Sequence, residues 1–292
     1  KDNNSKTYVK SYDVSDISSI KEVSSFSQDG QYNDSRMKGN NLYLVTDYSP
    51  YYYEDIEDVK NADKAVPSYE CEGKKKCLEP SDIYKPMGED YLDYSIVSGL
   101  NVTKENMCIS SKAYMNTADV VYMNDDNIYI SFVDYSSYVN SRVKFWDYSA
   151  STKTNIIRFS VSDGNVKLTA GKRISGSVLD QYSMDEYNGY FRIAVTSQNK
   201  KGEDKNSILI FNKDFKKIGE ITDIAKGESI KSAIFEGERA YVVTYEQTDP
   251  LFTFDLSDPS KPEILSELKA LGYSTHLRAV SYTHLTLPTN TR

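Results

Sequence analysis

Histidine is nearly missing: two occur in 292 residues, and one of them, His284, falls in an atypical C-terminal stretch. A Ser/His/Asp or Cys/His catalytic set needs a histidine base, and His276, near the end of the regular pattern, is the single candidate. Three cysteines beside that histidine make a four-ligand structural zinc site a poor fit. The 14 glycines include no Gly-x-Gly, so a phosphate-cradling loop is absent. Basic charge is also short, with 35 Lys+Arg against 43 Asp+Glu and a net charge of −8. That balance argues against a phosphate-binding surface, and nucleic acid is not an expected partner. No apolar run approaches the ~18 residues of a membrane span. No cofactor is expected. Nor is a metal: Asn124-Asp125-Asp126-Asn127 is the best calcium candidate, yet it reads more plainly as a hairpin turn.

Tyrosine is abundant instead, with 25 residues, and β-branched and aromatic positions recur along the whole chain. Four segments, 41–46, 127–132, 190–196 and 239–245, share one pattern of a polar turn followed by a short strand apolar on both faces. Second strands ending in an Asp turn follow at 156–163, 208–214 and 251–258, and third strands return at 166–170, 217–221 and 263–268. Tyr12-Asp13-Val14-Ser15-Asp16 opens the chain with the same second-strand ending, and 21–26 follows as its third strand. Phe159 to Phe211 is 52 residues and Phe211 to Phe254 is 43. A period near 40–50 built from about four strands is the signature of propeller blades.

The burial pattern argues the same way. An open antiparallel sheet alternates apolar and polar because one face meets water. Here Leu42 and Leu44 share one face while Tyr43 and Val45 share the other, so both need cover. No amphipathic helix supplies it, which leaves other sheets. The expected fold is all-β: an incomplete β-propeller of antiparallel four-stranded blades, about five of them recognisable, with a β-sandwich as runner-up. Residues 1–279 form this partial domain, interrupted by an insertion at 48–91. Residues 280–292 break the pattern and read as a translated sequencing adapter, a non-native tail; a native tail is the alternative.

Particular runs then carry a resemblance. Gly176-Ser177-Val178-Leu179-Asp180-Gln181-Tyr182-Ser183-Met184-Asp185-Glu186-Tyr187-Asn188-Gly189 precedes Arg192-Ile193-Ala194-Val195-Thr196. Gly227-Glu228-Ser229-Ile230 precedes Arg239-Ala240-Tyr241-Val242-Val243-Thr244-Tyr245 and Asp249-Pro250-Leu251-Phe252. With these the chain resembles a bacterial family of secreted β-propeller domains, distantly WD40-like and otherwise of unknown function. The resemblance covers most of 7–277 and is strongest over 175–273. It departs where the family tends to carry Asn-Gln-Phe and this chain has Asp180-Gln181-Tyr182. It implies an extracytoplasmic location, secreted or held at a membrane by an upstream anchor, and implies no reaction.

The insertion carries the contact candidates Tyr51, Tyr52 and Tyr53, an acidic run, and Cys71 and Cys77 around a basic loop. A Cys71–Cys77 disulfide would pin that loop; three free thiols, or Cys108 as a partner, are the alternatives. Lys74-Lys75-Lys76 reads most simply as solvated loop, with contact to an anionic partner as the alternative. Gln181, Asp185, Arg192, Arg239 and Asp249 complete the binding candidates, although the Gln181 and Asp249 neighbourhoods read first as turn braces. Asp185 and Glu186 are adjacent, so on a strand they face opposite ways and do not flank one glycosidic bond. The expected function is a protein- or ligand-binding scaffold outside the cytoplasm, with a protein or cell-envelope polymer as partner. A propeller-fold carbohydrate-active hydrolase is the alternative, and a structural surface-layer component is a third.

Overall fold

In the computed structural model, residues 5–50, 65–86, 92–134, 152–199, 201–245, 249–270, 278–281 and 284–286 are described. The repeating strand pattern becomes five sheets in chain order, each antiparallel apart from one short added strand. The first joins Lys6–Asp13, Lys21–Asp29, Ser68–Cys71 and Lys74–Cys77. The second joins Gln31–Lys38, Asn41–Tyr48, Tyr94–Asn101 and Cys108–Met115, with Ile83–Tyr84 parallel to the last. The third holds Val120–Met123, Asn127–Asp134, Lys153–Ser162 and Asn165–Ser175. The fourth holds Met184–Tyr187, Tyr190–Gln198, Asp204–Phe211 and Lys217–Ile224. The fifth holds Ser229–Glu236, Arg239–Tyr245, Asp249–Asp255 and Glu263–Ala270. Arg278–Ser281 and His284–Thr286 pair as a separate two-stranded ribbon. The chain divides into two compact units, 1–129 with 158–169 and 130–157 with 170–292, and the third sheet has segments in both.

Burial on both faces of the segments 41–46 and 239–245 is as expected. Tyr43, Leu44, Val45 and Thr46 are all buried, as are Ala240 through Thr244. Tyr43 has no exposed surface, and its hydroxyl accepts a hydrogen bond from Gly164 N at 3.0 Å. A ring of this size fills core while its oxygen meets a backbone donor, which is why tyrosine serves here. In the first unit Phe26, Leu44, Leu100 and Met107 form one cluster. In the second, Ile208, Ile210, Val242 and Phe254 anchor a larger one.

A latch recurs where one sheet passes to the next. Gly30 N donates to Ser5 O (2.8 Å) while Thr7 Oγ1 donates to Gly30 O (2.9 Å). Gly176 N donates to Thr152 O (2.7 Å) and Thr154 Oγ1 to Gly176 O (2.6 Å). Gly227 N donates to Asp204 O (2.8 Å), and Asn206 Nδ2 to the next carbonyl, Glu228 O (2.8 Å). Each time a glycine amide meets position x, and the side chain at x+2 returns the bond. Gly176 has φ +101°, and a Cβ there would lie 2.8 Å from Thr196 O. Gly176→Ala therefore combines backbone strain with a clash against a carbonyl, and is expected to lose about 2–4 kcal/mol in urea unfolding.

The turns also repeat. In the first sheet Asp13 accepts Ser15 N (2.9 Å) and Asp16 accepts Ser18 N (2.9 Å) and Oγ (2.7 Å). In the fifth, Asp255 accepts Ser257 N (2.9 Å) and Asp258 accepts Ser260 N (2.9 Å) and Oγ (2.7 Å). The Asp-x-Ser-Asp-x-Ser spacing thus folds twice into the same pair of Asx turns. Asn124 Oδ1 does similar work, accepting Asp126 N (2.9 Å) and Asn127 N (2.8 Å), so this segment is the hairpin turn expected.

These carboxylates and Asp47 respond to acid in opposite directions. Hydrogen bonds from Ser18 and Ser260 hold Asp16 and Asp258 below the usual range. Burial pushes Asp47 up, against hydrogen bonds from Ala118 N (3.0 Å), Asn33 Nδ2 (2.5 Å) and Ser95 Oγ (3.0 Å). Unfolded aspartates titrate near ~3.9. Between that value and its raised folded value, Asp47 binds more protons in the folded state, so its contribution falls as pH rises. The turn aspartates contribute above ~3.9 and lose that contribution as pH falls through their lower folded values. Asp47→Asn is expected to remove the falling limb and leave the acid-side loss, read from urea unfolding across that pH range.

Candidate functional site

The insertion after Asn41–Tyr48 builds one side of a polar recess in the first unit. Its hairpin, Ser68–Cys71 with Lys74–Cys77, turns through Glu72 (φ 53°) and Gly73 (φ 71°), the type I′ geometry that suits a two-residue connection. The hairpin adds to the Lys21–Asp29 strand with Phe26 opposite Cys71 and Gln28 opposite Tyr69. Buried Asp29 fixes it by accepting Ser68 N (2.8 Å) and Oγ (2.7 Å). Leu78, buried beside Tyr48, Tyr94, Ile96 and Ala113, then ties the insertion to the core. Ile83–Tyr84 extends the second sheet, so one insertion lengthens two sheets.

Two expectations for this segment are overturned by its pairing. Cys71 bonds Cys108, with Cα atoms 6.4 Å apart, and Cys77 is a free, exposed thiol. In the hairpin Cys71 pairs with Lys74 and Cys77 with Ser68, three rungs apart. That is about 10 Å along the strand, beyond disulfide reach. The lysine run is the outermost strand of the first sheet, not a loop. Lysine on an edge discourages pairing with other chains.

Alternation puts Tyr69, Cys71, Lys74 and Lys76 on one face of the hairpin, where cross-strand pairing sets Tyr69 beside Lys76 and Cys71 beside Lys74. This face lines a cleft of about 340 Å³ whose other side comes from Asn106 and the strand from Cys108 to Lys112. The disulfide joins the two sides. Three lysines, Lys74, Lys76 and Lys112, meet two carboxylates, Glu72 and Asp82. Lys112 is ion-paired to Asp82. Among the described residues, neither Lys74 nor Lys76 is in an ion pair. Tyr69 packs on Phe26 at 6.0 Å between ring centres, and burial, then Asp82, raises its phenol above the ordinary value. Its hydroxyl therefore stays a donor. Asn106 Oδ1 accepts Cys108 N (3.2 Å), which orients the side-chain amide. The arrangement suits noncovalent capture of an anion by cations and neutral donors.

The residues singled out from sequence do not gather there. Tyr51, Tyr52 and Tyr53 lie outside the described residues. Asp185 and Arg192 do meet, but as a cross-strand pair on the fourth sheet. Arg192 Nη1 donates to Gly237 O (2.6 Å), and its guanidinium lies 5.1 Å from the Tyr187 ring centre and 5.3 Å from that of Phe235. This is a brace. Gln181 opens a short 3-10 turn that the Asp180 carboxylate caps through Tyr182 N and Ser183 N. Arg239 is exposed, opposite Asp255, and Asp249 starts a strand opposite Ala270. Within the cleft, only the lysine run and the cysteines Cys71 and Cys108 carried a signal in the sequence. Tyr69, Asn106, Ser110 and Lys112 are brought together by strand pairing and the disulfide, and no local pattern marks them.

The description "beta propeller domain" matches residues 1–286. An uncharacterized protein of Methanocaldococcus jannaschii is 38% identical over 149 residues, 50% of this chain and 23% of that protein. An uncharacterized protein of Archaeoglobus fulgidus is 34% identical over 128 residues, 44% of this chain and 20% of that one. The matches thus span less than a quarter of either relative. The structure of a Trypanosoma rangeli sialidase with 2,3-difluorosialic acid aligns with 93% of this chain and 43% of its own, at TM-score 0.35 and 10% identity. Both relatives are archaeal, so a bacterial origin is not supported. Nor is a foreign tail, because the match continues to residue 286. Among the described residues no helix is long and apolar enough to cross a membrane.

Proposed function

The chain belongs to the beta propeller domain family, and from that premise we propose that it is a binding module acting outside the cytoplasm through the insertion-built cleft. One observation carries this reading: Lys74 and Lys76 share one strand face, neither of them in an ion pair among the described residues, along a recess whose lining also holds hydroxyl, amide and phenol groups, with Asp82 already paired to Lys112 and Glu72 at the turn. An exposed pair of cations at the edge of such a recess favours an anionic guest. The Cys71–Cys108 bond supports an oxidising compartment. The hydrolase alternative needs an arginine and carboxylates directed at a substrate, whereas Arg192 and Asp185 are engaged with each other and with Gly237.

Cys77 offers an adjacent reporter: it is exposed next to Lys76 on the lysine strand, on the face turned away from the cleft, so a label there leaves the lining intact. A fluorophore on Cys77 of the 292-residue chain is expected to respond saturably to an acidic envelope polymer or acidic peptide, without consuming it. Absence of a response across acidic and neutral polymers and peptides would overturn the reading. Release of shortened products would favour the hydrolase.

A further inference from the structure

We infer that the ligand of this cleft is an acidic saccharide, a sugar ring carrying a carboxylate or sulfate group; this rests on the binding reading above. Lys74 and Lys76 are two positions apart on one strand face, about 7 Å along it. They can hold one oxyanion between them or one each of two. A charge this local fits a substituent on a ring better than a long phosphate track, which needs a basic stripe. The rest of the lining matches sugar hydroxyls. Ser110, Ser111 and Asn106 line the recess, with the Ser111 hydroxyl bonded to Ser98 Oγ at 2.7 Å and keeping a free acceptor site, and Tyr69 contributes both a ring plate and a protonated hydroxyl. A cleft of about 340 Å³ holds one or two rings. An acidic peptide would satisfy the lysines and leave the hydroxyl-matching groups without a counterpart.

The test uses the Cys77-labelled chain with an oligogalacturonate, a sulfated disaccharide, the methyl-esterified neutral oligogalacturonate, an oligoglutamate peptide and a DNA oligonucleotide. At least one acidic saccharide is expected to bind in a salt-sensitive way, and the neutral form at least tenfold more weakly. The carboxylated and sulfated arms identify which oxyanion the site takes. Lys74→Gln and Lys76→Gln are each expected to weaken binding about tenfold, with Lys75→Gln, on the other face, leaving it unchanged. Tyr69→Phe tests the hydroxyl, with an expected loss of several fold for saccharide and none for peptide. Unchanged thermal melting shows that each variant remains folded. Equal binding of the neutral saccharide, or stronger binding of oligoglutamate or DNA, overturns the saccharide assignment while the binding module stands. Silence from every probe overturns both.

Discussion

Asp185→Ala is expected to destabilise the second unit by about 3–5 kcal/mol, because it strands a buried cation. The Arg192 side chain is 3% exposed. Its Nε donates to Asp185 Oδ2 at 2.9 Å, Nη2 donates to the same oxygen, and Nη1 holds Gly237 O, so one guanidinium ties the fourth sheet to the first hairpin of the fifth. The Tyr187 and Phe235 ring centres lie 5.1 and 5.3 Å from it, and neither ring offers a carboxylate to replace Asp185. Removing both charges should cost far less than removing one, since a hydrophobic pair of similar volume avoids the desolvation penalty. A double-mutant cycle with Asp185→Leu and Arg192→Met, read by urea unfolding, checks this. A single-mutant loss below about 1 kcal/mol, the range of a surface pair, would refute the brace.

The second large effect is at the disulfide. Cys71 and Cys108 are 37 residues apart in sequence. Closing a loop of that size restricts the unfolded chain by about 4 kcal/mol, so Cys71→Ser or Cys108→Ser should lose stability of that order. Cys77→Ser should lose almost none, since that thiol is exposed and unpaired. Reduction of the native chain should lower the urea midpoint to that of Cys108→Ser and weaken ligand binding, because the bond joins both sides of the cleft. Equal losses for Cys77→Ser and Cys108→Ser would contradict the pairing.

Much of the fold was legible because it is written locally. Tyr43-Leu44-Val45 and Tyr241-Val242-Val243 show cover on both faces within a few residues, and stacked sheets are the answer that needs no helix. The Asp-x-Ser spacing at Asp13 and Asp255 declares its turns in the same local way. The glycine latch was legible in principle from Ser5/Thr7, Thr152/Thr154 and Asp204/Asn206, but its partner lies two strands on, and chain order alone does not reveal it.

The candidate site was much less legible. Lys74-Lys75-Lys76 could be seen as a cationic run, but its place depended on where the insertion hairpin docked. Backbone edges are chemically alike, so a hairpin leaving the second sheet can pair with any exposed strand. It pairs with Lys21–Asp29 of the first sheet, held by Asp29, and that choice sets Cys71 beside Cys108 instead of Cys77. Arg192 and Asp185 illustrate the converse: their charges suggested a site, and burial between two sheets made them structural. Short-range pattern therefore specified strands, turns and their repetition, whereas the cleft, the cysteine partner and the fate of each charge came from long-range docking, where the free energy of pairing and desolvation depends on neighbours distant in the chain.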